Sequence, residues 1–423
     1  MNVFKFGGAS VKDAEAVKNV LSILRLYQGK KLGVVISAMG KTTNAMESIV
    51  EALWNRDEEQ FNTLVEERRT FHINIMNDLF KNDQDEIYQA VNTDFDELLS
   101  KFNDPVPDNY DFEYDQIVSL GEVLSTKIVT AYVQQEGVKA KWMDARKLIR
   151  TDRDYRQAEL DWEKTTTNFQ ERFIPEFSEN DVLITQGFIG HTSEGFTTTL
   201  GREGSDFSAG IIAYCCNAED VTIWKDVPGM LNADPKWFDN TVKLDQISFK
   251  EAIELAYYGA SVIHPKTIKP LQNKEIPLYV KSFIHPEEEG TVIQSSTEAD
   301  HLVPSFIFKL NQILFSFTPK DFSFLVEKNL SHIFDLLSQA NAKINIMQNS
   351  ALDFSVLLDA EKVSIDQILA LFSNDYKVKF NEGLELVTIR HYDQATIDRV
   401  TVDKEILLQQ KTRETARLVV KQK

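Results

Sequence analysis

Cysteine is nearly absent: the 423 residues hold two, Cys215 and Cys216, side by side. Adjacent cysteines exclude a long-range disulfide within the chain. Their context, Ile211-Ile-Ala-Tyr-Cys-Cys, reads as a buried helix face carrying small core hydrophobes. The seven histidines are scattered without metal-ligand spacing, so no metal-ligating residue is assigned. His264, which precedes Pro265, reads as a turn or core group rather than a catalyst, and no Ser/His/Asp or Cys/His arrangement stands out. Positive charge is in deficit. A net charge of −19 argues against a nucleic-acid groove or an anionic membrane surface as partner. Anionic small molecules stay open, because local basic groups decide those. No apolar run is long enough to span a bilayer. Lys5 and the glycines break the N-terminal apolar stretch too early for a signal peptide, so a reducing cytoplasm is the expected compartment.

The chain is too long for one core, so two or more domains are expected. Its first ten residues, Met-Asn-Val-Phe-Lys-Phe-Gly-Gly-Ala-Ser, read as a strand running into Gly7-Gly8. Val11, Ala14, Val17, Leu21 and Leu24 then share a helix face, and Gly29 follows the end. A strand that turns through glycines into a helix N-terminus suits a phosphate: main-chain N–H groups can approach it and the helix dipole favours it. Lys5 adds a full charge at the strand end. Alone, the same pattern fits a plain strand–turn–helix connection.

A second strand, Leu32-Gly-Val-Val-Ile, ends at Ser37-Ala-Met-Gly40. Gly40-Lys41-Thr42 is no P-loop, because Val35 occupies the place of its first glycine. Residues 44–103 carry helical spacing with almost no glycine and read as a helical insert, followed by a loop at Asn103-Asp-Pro-Val-Pro-Asp. Helical character resumes through Glu122 and Val129, and Trp142-Met-Asp-Ala-Arg reads as a strand exit. From Asp181 to Lys281 strands and helices alternate, which argues for an α/β domain with a mostly parallel sheet, flanked by helices. Such sheets place ligands at the carboxyl ends of their strands. Lys5, Ser37, Phe188 and Lys225 all fall at or just past predicted strand ends.

A boundary is expected in Pro286-Glu-Glu-Glu-Gly and the polar stretch to Pro304. After it, residues 305–382 show a ferredoxin-like βαββαβ pattern. Its strands are expected at Phe306–Phe317, Lys343–Gln348, Asp353–Asp359 and Tyr376–Phe380, with helices through Leu330–Leu337 and Ile365–Phe372. Residues 383–423 would add one strand, Leu384–Ile389, and a tail helix from about Val402 with a solvated basic end.

Thr197-Thr-Thr-Leu-Gly-Arg-Glu-Gly-Ser-Asp206 is a second glycine loop before a helix. Ser205 and Asp206 could serve as ordinary caps. An arginine and an acid in one such turn exceed what a cap needs, and the Arg202 fork suits a carboxylate or phosphate. No general base is evident. A carboxylate acceptor of a phosphoryl group is already an ionised nucleophile and needs only positioning and charge neutralisation.

Together these segments resemble the aspartate kinase family of the amino-acid kinase fold. The resemblance rests on Lys5-Phe-Gly-Gly-Ala-Ser, Val35 to Asn44, Val118-Ser-Leu-Gly-Glu122, Thr185-Gln-Gly-Phe-Ile-Gly190 and Thr197 to Asp206. Trp224-Lys-Asp-Val-Pro-Gly229, Asn232-Ala-Asp-Pro235 and Tyr258-Gly-Ala-Ser-Val-Ile-His-Pro265 complete it, in the family's order, across residues 1–295. It implies phosphorylation of the side-chain carboxylate of L-aspartate by ATP with Mg2+, the opening step towards lysine, threonine and methionine. By the same resemblance, Lys5 and Asp206 are catalytic. Arg202 would clamp the α-carboxylate and Glu122 accept the ammonium, with Ser37, Thr43, Phe188 and Ser205 completing the aspartate pocket. Gly7, Gly8 and Ser10 would line the phosphate path. Lys225, Asp226 and the 229–235 turn, with Leu231 and Asp234, would face the nucleotide, as would Ser261.

Two departures fall in that nucleotide region. Family members often carry a lysine where this chain has Ser261, and threonine or serine where it has Lys225. Lys225 is therefore expected to replace the lost charge. Residues 305–382 resemble an ACT regulatory domain, with 383–423 as a truncated second copy. The resemblance implies a lysine or threonine effector, but Lys328 stands where glycine is usual and Asn345 where aspartate commonly holds the effector's amine. These changes argue against feedback binding and favour a role in forming a homodimer or higher homo-oligomer through sheet edges. An acetylglutamate or nucleoside monophosphate kinase fits the insert and the Val118–Glu122 segment poorly. A catalytically dead amino-acid sensor is the rival from another class; the intact Lys5, Arg202 and Asp206 oppose it. No dinucleotide-binding domain is expected, hence no fused homoserine dehydrogenase.

Overall fold

The computed structural model describes residues 1–81, 86–105, 108–238, 240–260, 263–321 and 323–423. Ser261 and parts of the expected insert and of the 103–108 loop lie outside the described residues. The chain divides into two compact units. The first holds Met1–Leu231, Lys243–Ala256 and the stretch up to Asp300; the second holds Asn232–Val242, Tyr257–Ala260 and His301–Lys423. The division is thus not linear: residues 232–242 and 257–260, expected within the catalytic stretch, cluster with the second unit.

The first unit contains β1 (Asn2–Phe6), β2 (Leu32–Ile36), β3 (Ala140–Met143), β4 (Val182–Gln186), β5 (Ile189–His191), β6 (Thr197–Thr199), β7 (Asp220–Lys225), β8 (Gln246–Ser248), β9 (Leu278–Ser282) and β10 (Thr291–Gln294). Its helices are α1 (Ala14–Leu26), α2 (Thr42–Trp54), α3 (Glu58–Leu79), α4 (Glu86–Ser100), α5 (Tyr110–Val118), α6 (Leu120–Gln135), α7 (Trp162–Asn168), α8 (Gly204–Cys216), α9 (Phe249–Tyr258, whose last two residues cluster with the second unit) and α10 (Pro265–Asn273). Eight strands form one sheet in the order β3-β4-β2-β1-β7-β9-β10-β8, parallel from β3 through β9. β1, β2 and β4 are buried at every position, as parallel strands covered on both faces must be. Asp13 caps α1 by accepting from Ala16 N at 2.8 Å. The apolar face of α1 then packs with Phe4, Phe6 and Trp224 in the main core. The expected insert is helical as α2, α3 and α4, and buries Phe61, Val65, Met76, Val91 and Phe95 in that same core. Cys215 and Cys216 are buried on α8.

The second unit contains β11 (Ser305–Pro319), α11 (Glu327–Gln339), β12 (Ile344–Asn349), β13 (Phe354–Asp359), α12 (Ile365–Phe372), β14 (Tyr376–Arg390), α13 (Gln394–Val400), β15 (Lys404–Lys411) and β16 (Thr415–Gln422). The sheet order is β12-β13-β11-β14-β16-β15. Its first four strands, with α11 and α12, have the ferredoxin-like arrangement. Two expectations are corrected. Leu384–Ile389 is no separate strand but the far half of β14, which pairs with β11 across a register shift between Lys309 and Gln312. The tail is no helix: β15 and β16 form an antiparallel hairpin, and β16 pairs with β14. Ala416, Leu418 and Val420 thereby join Val387 and Ile389 in a core, and that burial outweighs local helix propensity. The 232–242 and 257–260 segments are part of this unit's packing. Phe238 stacks on Phe306 at 4.6 Å, the Arg399 guanidinium lies 3.9 Å over Phe238, and Arg417 lies 5.1 Å over Tyr258.

Candidate active site

Four adjacent parallel strands, β4, β2, β1 and β7, end in register, because Phe6 faces both Ile36 and Trp224, and Ile36 faces Gln186. The residues at or just past those ends are Phe188, Ser37, Lys5 and Lys225. All four line one cavity of about 900 Å3, together with Thr43, Glu122, Arg202, Ser205 and Asp206. Nine of the sequence-selected site residues thus converge at the carboxyl edge of the sheet, where α8 begins.

Lys5 and Asp206 form the charged centre. The Lys5 amine lies 2.6 Å from Asp206 Oδ1, and the Lys225 amine 3.7 Å from Oδ2. Both members of the first pair are buried. Burial alone would raise the Asp206 pKa, but the two lysines outweigh it and hold the carboxyl below its ordinary value. The centre therefore carries two cations against one anion, an excess of positive charge beside a helix N-terminus. Gly8 packs against the turn after β2: a Cβ there would stand 2.7 Å from the Gly40 carbonyl oxygen. No side chain fits at that position.

Glu122, in the first turn of α6, points into the same cavity and is buried. Its Oε1 accepts from Ala38 N at 3.3 Å, while Oε2 has no hydrogen-bond partner among the described residues. Burial pushes its carboxyl up to about 8, with the Ala38 N–H and Lys5 pulling the other way. A buried carboxyl oxygen without a partner is costly, and a cation placed beside it would ionise the group and meet that oxygen. Arg202 is exposed on the glycine turn and supplies the free fork. Arg202 and an ionised Glu122 offer the cation and the anion that a zwitterion requires.

The sequence did not reveal part of one wall. Asp111, Tyr114, Asp154, Tyr155, Arg156, Gln157, Thr199 and Glu203 also line the cavity. The 154–157 stretch has no glycine motif, so only the three-dimensional path finds it. Arg156 pairs with Asp111 at 3.1 Å and lies 4.4 Å over the Tyr114 ring. Three non-glycine residues of the lining adopt left-handed backbone: Arg156 (φ 69°), Phe188 (φ 72°) and Glu203 (φ 55°). Such strain concentrates at functional sites. The Oε2 of Glu203 is also buried without a partner among the described residues.

Other sequence-selected residues fall elsewhere. Gly7, Gly8, Ser10, Asp226 and Leu231 are not among the residues lining the cavity. Asp234 lies in the stretch that clusters with the second unit. Ser261 lies outside the described residues. His264 is the capping residue of α10, its Nδ1 accepting from Lys266 N at 3.1 Å. Among the described residues no group of three or more His, Cys, Asp or Glu could hold a metal ion.

The amino acid kinase family profile matches residues 1–282, which gives the class that the parallel sheet and its carboxyl-edge site define. Escherichia coli lysine-sensitive aspartokinase 3 is 30% identical over 400 residues, 92% of this chain and 86% of that protein. The crystal structure of E. coli aspartokinase III in complex with aspartate and ADP matches with a TM-score of 0.80 at 27% identity, covering 99% of this chain and 96% of that one. The Clostridium acetobutylicum aspartate kinase shares the fold, with a TM-score of 0.82 at 21% identity over 100% of this chain and 96% of that one. The chain belongs to the aspartokinases of the amino acid kinase family.

Proposed function

We propose that the chain is an aspartate kinase, which transfers the γ-phosphoryl group of ATP to the side-chain carboxylate of L-aspartate and forms 4-phospho-L-aspartate. That acyl phosphate opens the route to lysine, threonine and methionine. The observation that carries the reading is the unpartnered buried oxygen of Glu122, in one cavity with Arg202 and the Lys5–Asp206 pair. An α-ammonium completes Glu122 and an α-carboxylate meets Arg202. The side-chain carboxylate then faces the cationic centre. E. coli aspartokinase III was solved with aspartate and ADP, which supports the same pair of ligands here.

Each group has a physical task. Lys5 and Lys225 neutralise the transferring phosphoryl group, and the positive end of the α8 dipole lies beside them. Asp206 holds Lys5 in place. No side chain need remove a proton, because the attacking carboxylate is already ionised. Magnesium fits as a companion of the nucleotide: Asp206 is a single carboxylate between lysines, and such ions are held largely by the phosphates themselves. When bound, the ion offsets phosphate charge.

Lysine is a ligand of E. coli aspartokinase III in another solved complex. In this chain we propose that it has no regulatory effect. The Asn345 amide is engaged at both ends, accepting from Lys309 Nζ at 2.9 Å and donating to Gln312 Oε1 at 2.7 Å and Asp359 Oδ1 at 2.8 Å. The second unit instead serves self-association, which the exposed Phe324, Val326 and Met347 support. No helix of the described residues is long and apolar enough to cross a membrane, and two unpaired cysteines suit a reducing cytoplasm.

The test is hydroxylamine-trapped acyl phosphate from purified protein, Mg-ATP and L-aspartate, with and without lysine or threonine. Product with aspartate but not with glutamate or acetylglutamate is expected, unchanged by either effector. Folded, ATP-binding protein without product would replace the kinase by an amino-acid sensor.

A further inference from the structure

Two walls of the cavity meet at one carboxylate that does not itself line it. Asp115 lies on α5 and is 0% exposed. Its Oδ2 accepts from Arg156 N at 3.0 Å and Thr199 N at 2.8 Å, and its Oδ1 accepts from Thr199 Oγ1 at 2.7 Å. Among the described residues it forms no ion pair. A buried carboxylate held only by neutral donors costs solvation energy that packing alone does not require.

We propose that Asp115 is a positioning residue of the aspartate pocket: its carboxylate ties the wall at Arg156 to the strand that leads into the glycine turn bearing Arg202. The inference rests on the aspartate kinase reading. Gly201, two residues beyond Thr199, has φ +76°, and a Cβ there would stand 3.2 Å from the Arg156 carbonyl oxygen, so the two walls are in contact. The Arg156 side chain is held by Asp111 and Tyr114 of the same helix α5. Gln116 adds a second tie to β6: its Nε2 donates to the Thr197 carbonyl at 2.8 Å and its Oε1 accepts from Thr197 N at 3.2 Å. Asp115 bonds both walls, which a main-chain bond from Ala158 N to the Thr199 carbonyl at 3.0 Å also joins. Released, the turn carrying Arg202 drifts relative to Arg156, and errors of position near 1 Å cost about a hundredfold in reaction rate. Lys5 and Lys225 stand on β1 and β7, which do not depend on this tie. The loss therefore falls on aspartate and spares the nucleotide.

The experiment measures both KM values of the intact chain in the acyl phosphate assay. In Asp115→Asn an amide N–H faces donors, so at least one bond is lost. The KM for aspartate should rise about tenfold or more while the KM for ATP stays within about twofold. Unchanged KM values, with only a lower melting temperature or active fraction, would assign Asp115 a merely structural role and overturn the proposal. Should this variant fail to fold, Thr199→Val removes only the Oγ1 bond. It should raise the KM for aspartate about threefold or more, whereas Thr199→Ser keeps the hydroxyl and the wild-type value. Equal behaviour of the two refutes the tie. Wild-type protein without product would overturn the kinase reading, and this inference with it.

Discussion

Aspartate should bind more tightly as the pH rises from 7 to 8.5, and Glu122 sets the amount. Its carboxyl ordinarily titrates at 4.5, and burial pushes it up to about 8. At pH 7 roughly nine-tenths of the free protein then holds a proton on Glu122. An ammonium ion needs the ionised form, so binding must expel that proton. The apparent KM carries a factor of one plus the ratio of protonated to ionised Glu122: about 11 at pH 7 and about 1.3 at pH 8.5. Affinity should therefore improve about eightfold across this interval, equal to about 1.2 kcal/mol. Calorimetry in two buffers of different ionisation heat should detect about 0.9 proton released per aspartate bound at pH 7. Glu122→Gln cannot ionise; its weakened binding should be flat over the same range. A wild-type KM constant within twofold, or binding without proton release, would refute the assignment of Glu122 to the ammonium.

Lys225→Thr should lower activity, and adding Ser261→Lys should restore it if Lys225 replaces a missing charge; assays of the single and double variants without rescue would remove the idea. His72 is buried in the helical insert, its Nδ1 against the Arg68 carbonyl at 2.8 Å and its Nε2 without a partner among the described residues. Burial lowers its pKa to about 4. The unfolded chain then takes up the proton first, and stability should fall by about 3 kcal/mol as pH drops from 6.5 to 4. Denaturant midpoints of wild type and His72→Leu at pH 7.5 and 4.5 test this, since the variant should lose that slope. Glu203→Gly should stabilise the fold by about 1 kcal/mol, because glycine adopts the left-handed backbone without a Cβ penalty. A lower denaturant midpoint in that variant would show that the Glu203 carboxylate contributes more than its backbone costs.

The strand ends were legible because a fully buried parallel strand is a continuous apolar run, and polar residues mark its exit: Lys5, Ser37 and Lys225 are such marks. The glycine turns were legible because only glycine permits the approach at Gly8. The tail was not. Its Lys, Gln, Glu and Leu favour a helix, and the turn at Lys411-Thr-Arg-Glu-Thr415 carries no Gly, Asn or Pro to announce a hairpin. Only pairing with β14 decides it. Arg156 and Asp115 left no local signal either, because their roles arise from a meeting of α5, β6 and a loop far apart in sequence.

The interleaving of the two units bears on how this protein can change over evolutionary time. A truncation after residue 300 would not release a free-standing kinase. It would strand Phe238 and Tyr258 without Phe306, Arg399 and Arg417, the groups they stack on or beneath. Loss of the C-terminal half in one deletion is thereby penalised, and so is its exchange as a cassette. Modification of that half strand by strand, with the shared segments retained, remains open.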